Sequence, residues 1–122
     1  MTQEITSTDW KTFCTRFVDL HKGALMTVRK VEPSGTTTEA VRDMPLVRAW
    51  MTADECNNKM SFNFEQEGRR EVVHEIIEPI HVKVREESEG RKGLQIDAED
   101  GSTLILFRSG RLNELLDGLN TV

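Results

Sequence analysis

Three histidines, His21, His74 and His81, two cysteines, Cys14 and Cys56, and 21 acidic side chains are the groups in this 122-residue chain from which catalysis or metal binding would be built. Imidazole is the side chain that titrates near neutrality without perturbation, so the histidines are the first pocket candidates for a general base or a metal ligand. His74-Glu75 and His81 lie on either side of Pro79. That spacing differs from the helical His-Glu-x-x-His pattern, which puts two ligands on one face. Cys14 falls among apolar residues and reads as a small core side chain. Cys56 follows Asp54 and Glu55 in a polar loop, where neighbouring carboxylates disfavour its thiolate. Asp97, Glu99 and Asp100 gather three carboxylates beside a glycine, but a calcium loop ends in glutamate at its twelfth position, and counting from Asp97 reaches Arg108. The dinucleotide, phosphate-loop and hydrolase-elbow glycine signatures are all missing. No catalytic residue, metal ligand or cofactor is therefore assigned.

Composition narrows the partners. Sixteen basic and 21 acidic residues give a net charge of −5, the wrong sign for affinity built on neutralising phosphates, so no nucleic acid is expected. The opening Met1-Thr2-Gln3-Glu4-Ile5-Thr6 is neither basic nor apolar, and the longest apolar run is Leu104 to Phe107. Neither a signal peptide nor a membrane span is expected. Two cysteines are too few for a disulfide framework, which points to a reducing cytoplasm.

The elements that would position these residues come from hydrophobic period. Thr6 reads as a helix cap with Asp9 at N3, and Ile5 with Trp10 has the spacing of a hydrophobic staple. Trp10, Phe13, Cys14, Phe17, Leu20 and His21 then recur at three- and four-residue steps, which predicts a helix over 7–22 stopped by Gly23. From residue 24 to 108 the period falls to two, and the chain reads as antiparallel strands. Leu25 to Val31 closes at Pro33-Ser34-Gly35, Thr36 to Arg42 reads equally as an edge strand or a mobile segment, and Leu46 to Thr52 follows. Met60-Ser61-Phe62-Asn63-Phe64-Glu65 alternates strictly, as in a sheet wet on one face and packed on the other. Glu71 to Glu78, Ile80 to Arg85, Leu94 to Ala98 and Leu104 to Arg108 complete the set, with Asp100-Gly101 expected at the centre of a tight hairpin.

Over residues 110–120 the period lengthens again, and Leu112, Leu115, Leu116 and Leu119 form one face of a short amphipathic helix. A helix of about ten residues is marginal alone, so this stripe must dock on its own sheet or bind a partner. Arg108 and Arg111 are too few to make it a membrane anchor. The expected architecture is a single α+β domain over 1–122: an N-terminal helix packed on a curved antiparallel meander or small partly closed barrel of about six strands, with a short C-terminal helix.

Ile5…Trp10-Lys11-Thr12-Phe13…Phe17…His21-Lys22-Gly23 resembles the start of a family of small bacterial proteins known only as a domain of unknown function. His74 with Ile80 and Val82, and Leu94-Gln95-Ile96 through Asp100-Gly101 to Leu104 and Phe107, are similar to that family's second half. The resemblance implies a small cytoplasmic bacterial protein and carries no activity.

Missing catalytic signatures, strand edges and the leucine tail together suggest a non-enzymatic interaction or regulatory domain, either a homodimer or a binder of another protein. A small-ligand or metal-binding protein, or an enzyme using His74 or His81, is the alternative. An Sm-like RNA-binding module is a further one by fold analogy, and the net charge opposes it.

Overall fold

The computed structural model describes residues 2–53, 58–66, 70–88, 91–108 and 112–122. The elements are β1 (Thr2–Glu4), a 3-10 turn (Ser7–Asp9), α1 (Trp10–His21), β2 (Leu25–Val31), β3 (Thr37–Ala53), β4 (Asn58–Gln66), β5 (Arg70–Ile77), β6 (Pro79–Ser88), β7 (Arg91–Ala98), β8 (Gly101–Arg108) and α2 (Leu112–Leu116). The strands make one antiparallel sheet of eight, ordered β1-β6-β7-β8-β2-β3-β4-β5. This corrects the expectation of about six strands and partial closure. The extra strand β1 pairs with β6 over three residues, too few to show a period. Residues 37–42 become strand because β2 supplies a ladder from Arg29↔Glu39 to Val31↔Thr37.

The sheet is open but strongly curled. Along the strand order β5 lies four steps from β8, about 19 Å in a flat sheet at about 4.8 Å per step. His74 Nε2 on β5 nevertheless sits 3.1 Å from Thr103 Oγ1 on β8. The fold-over originates in β3. Asp43 takes φ +48 within a register shift between the Met26 and Val28 pairings, and Pro45, which has no N–H, follows at the point where β3 leaves β2. The Thr27 hydroxyl accepts from Asp43 N–H and donates to its carboxylate, both at 3.3 Å, and so pins the bend. A second shift between Leu46 and Arg48 turns the strand onto β4.

Helix α1 fills the concave side. Trp10, Phe13, Cys14, Phe17 and His21 are its buried residues, the stripe expected from period apart from Leu20, which is only partly buried. Phe17 meets Phe62 edge-on at 6.1 Å and Phe107 at 5.1 Å, which ties the helix to both halves of the sheet. Gly23, at φ +88, ends the helix, and its N–H continues to Leu46 O at 2.8 Å. The helix start differs from expectation: Thr6 makes no side-chain cap, and a 3-10 turn occupies 7–9. The groups meant for capping serve the tail instead, because Thr6 N–H donates to Asn120 O at 2.9 Å and Asp9 Oδ2 accepts from Asn120 N–H at 2.6 Å.

Strand β4 also departs from expectation, since the face opposite its phenylalanines is covered. Ser61 is 1% exposed and Asn63 is 7% exposed. Ser61 lies between Trp50 and Glu75, and Asn63 between Arg48 and Val73, so longer cross-strand neighbours shade both. The β7–β8 turn sits one residue early: Ala98 pairs with Gly101, the turn residues are Glu99 and Asp100, and only Gly101 among these has positive φ.

The tail is docked on the chain itself. Leu115 belongs to the core, and Leu116 and Leu119 pack against it. The Leu112 side chain and residues 110–111 of the expected 110–120 helix lie outside the described residues. Arg16 donates to Leu115 O at 3.4 Å and to Asp117 O, while an Ile5↔Thr121 bridge and Val122 N–H to Glu4 O at 2.8 Å join tail to start.

Candidate functional site

The three histidines occupy three separate places. His21 Nδ1 donates to Phe17 O at 3.0 Å, with its ring against Phe17 and Phe107. His81 Nδ1 lies on the surface 2.9 Å from Glu4 Oε2. His74 is half-buried beside Thr103, and desolvation first, then the Lys30 ammonium, holds its pKa below the ordinary value, with Asp100 opposing. Among the described residues no group of three His, Cys, Asp or Glu side chains is placed to hold a metal ion.

Burial of neutral His74 has a pH signature. Its folded pKa lies below the unfolded value of about 6.5, so the unfolded chain binds the proton more readily and stability falls as pH drops through that value. Burial likewise raises the Asp97 carboxyl, yet hydrogen bonds from Gln95 and Ser102 and the Lys83 charge outweigh it and hold the pKa low, which places that group's loss below about pH 4. Urea midpoints taken from pH 7.5 to 5 should therefore fall more steeply for the wild type than for His74→Gln. Parallel curves would remove His74 from the pH response.

The remaining candidates are also dispersed. Burial pushes the Cys14 thiol up to about 12, so it stays protonated and inert. Cys56 lies outside the described residues. The Asp97 and Asp100 carboxylates diverge: Asp97 meets Ser102 Oγ at 2.7 Å, and Asp100 meets Lys30 Nζ at 3.2 Å.

What the fold does build is a groove that no periodicity announced. β3 gives one edge to β2 as far as Pro45 and the other to β4 from Leu46 to Ala53. Backbone bonds to Gly23 and Ala24 end at Leu46, so from Val47 to Ala53 the edge away from β4 has no strand or backbone hydrogen bond among the described residues. Helix α1 runs alongside, antiparallel to that stretch. Between them lie a cavity of about 440 Å³ bounded by Thr15, Val18, Asp19, Arg48, Ala49 and Trp50, and one of about 570 Å³ between Ser7–Lys11 and Met51–Ala53.

Three consecutive strand residues bound each cavity, whereas a hollow against one face of a strand would touch alternate ones. The space therefore lies along the strand edge, where every second residue turns its N–H and C=O outward. The Arg48 guanidinium lies 4.8 Å over the Trp50 ring, with no carboxylate partner among the described residues. No histidine lines either cavity.

Among the described residues no helix is long and apolar enough to cross a membrane. Compared with protein-family models, curated proteins and solved structures, the chain matches none.

Proposed function

We propose that this protein is a non-enzymatic interaction module that takes an extended segment of a partner protein into the groove between α1 and β3. The observation that carries this reading is the open edge of β3 from Val47 to Ala53, facing a helix across two successive cavities. An exposed edge presents a row of backbone groups that templates a chain in β conformation, and strand addition supplies one. Seven strand residues span about 23 Å, room for a segment of similar length. Side chains pointing inward from such a segment would meet Val18, Ala49 and Met51, and those pointing outward would meet Arg48 over Trp50 with Lys11 nearby. A partner alternating apolar and acidic residues fits that lining.

A labelled heptapeptide alternating glutamate and valine should bind by fluorescence anisotropy and slow amide exchange in Ala49–Ala53. The same peptide with lysine for glutamate should not bind, and Arg48→Glu should weaken the acidic peptide about tenfold, the loss of one desolvated charge-assisted contact. Sedimentation read beside it detects a dimer that Trp50→Ala dissolves, which would assign the groove to a second copy instead. Absence of exchange protection with every peptide would end the strand-addition reading.

Self-association has its own support on β5. It is the other edge of this half-sheet, and it leaves Val73 43% and Ile77 57% exposed on its outer face.

A further inference from the structure

On the convex face, β7 begins with Arg91 and β8 ends with Arg108, and the ladder sets the two directly opposite one another. Like charges opposed across a ladder destabilise it. The four lysines of the sheet are matched: Lys30 with Asp100, Lys59 with Glu75, Lys83 with Asp97 and Lys92 with Glu86. Among the described residues neither arginine has an acidic partner. Both line a cleft of about 370 Å³ together with Thr27, Asp43, Leu106 and Phe107. That volume lies in the small-ligand range of about 300–1,000 Å³. The far wall holds Asp43, whose φ of +48 is a conformation rare for a side-chain-bearing residue, pinned by Thr27. Unrelieved charge and backbone strain converge on one concavity, a pattern associated with functional sites.

We propose that this cleft binds a small molecule whose oxyanion, a carboxylate or a phosphate, is clamped between Arg91 and Arg108, with a hydroxyl or ammonium of the same molecule donating to Asp43. The guanidinium fork matches planar and tetrahedral oxyanions alike, and an anion between the two arginines turns their repulsion into attraction. The Asp43 carboxylate excludes a ligand anionic at both ends, because a second anion would face it. The site is separate from the groove and shares none of its lining residues.

The test titrates the full chain by calorimetry with inorganic phosphate, with a hydroxy acid (lactate) and with a phosphorylated alcohol (glycerol phosphate), all at one low ionic strength. Saturable binding of lactate assigns the carboxylate form of the ligand, and saturable binding of either phosphate assigns the phosphate form. In each case Arg91→Gln and Arg108→Gln should each weaken it about tenfold. Both positions are exposed, so both variants should fold, and without anion each should melt higher than the wild type because the repulsion is gone. Equal stabilisation of wild type and variants by phosphate would be a general salt effect and would overturn the proposal. Failure of all three probes to bind would overturn it equally.

Discussion

Phe17→Ala should cost about 3–5 kcal/mol, the range for emptying a large aromatic site in a closed core. The residue is fully buried, and its ring meets Phe13 at 5.7 Å, His21 at 4.8 Å, Phe107 at 5.1 Å and Phe62 at 6.1 Å. Two of these contacts lie on its own helix and two on strands from opposite halves of the sheet. Collapse around the cavity is therefore hindered, because helix and both half-sheets would have to shift together. A domain of this size holds about 5–15 kcal/mol in total, so the variant should melt about 10–20 °C lower. Phe17→Leu keeps most of the volume and should cost about 1–2 kcal/mol. Urea denaturation read by tryptophan fluorescence separates the two. A loss below about 1 kcal/mol for Phe17→Ala would mean that the helix is not clamped between the half-sheets.

The second large effect is at Gly101. Its φ is +128, and an added Cβ would stand 2.3 Å from Val31 O and 3.1 Å from Glu32 Cα. Both are backbone atoms of the end of β2, so relief would require β2 and β8 to part where Val31 pairs with Ser102. Gly101→Ala should cost about 3 kcal/mol or more, the sum of conformational strain and overpacking. Gly23→Ala is the control, because φ there is +88 with nothing within 4 Å of the new Cβ. It should lose only the left-handed penalty of about 1–2 kcal/mol. Equal losses at the two positions, measured by thermal and urea unfolding, would show that steric contact with β2 contributes nothing.

Helix α1 and strand β4 were the most legible parts of the sequence, for a physical reason. Spacing of Trp10, Phe13, Cys14 and Phe17 reports which side of a helix is dry, while alternation of Met60, Phe62 and Phe64 reports which side of a strand is apolar but not that its polar side is also covered. Period carries no information on which strand lies next to which. Leu46 to Thr52 is thus legible as strand, whereas its continuity from Thr37 as one 17-residue element bent at Asp43 is not. A bulge inserts a residue and leaves no compositional trace, and this one separates the edge held by β2 from the edge left open. The groove, the Arg91–Arg108 opposition and the His74–Thr103 contact all depend on register and curl, so their juxtaposition leaves no trace in period, although His74 stands out by its chemistry. In the tail Leu115, Leu116 and Leu119 are covered, and part of that cover is backbone pairing with Glu4 and Thr6, which no side-chain pattern encodes.

The contact between Phe17 and Phe107, far apart in sequence, also fixes an order of events during synthesis. Helix α1 is made before β2 to β8, yet Phe107, one of the rings that cover Phe17, comes roughly ninety residues later. At about 5–20 residues per second a ribosome needs about 5–20 s to deliver it. For that interval the aromatic stripe has no complete partner surface, and the local hairpins β6–β7 and β7–β8 can close before the helix settles. The nascent chain therefore carries an exposed Trp-Phe-Phe face until β8 has been made, and chaperone demand should track helix α1 rather than the strands.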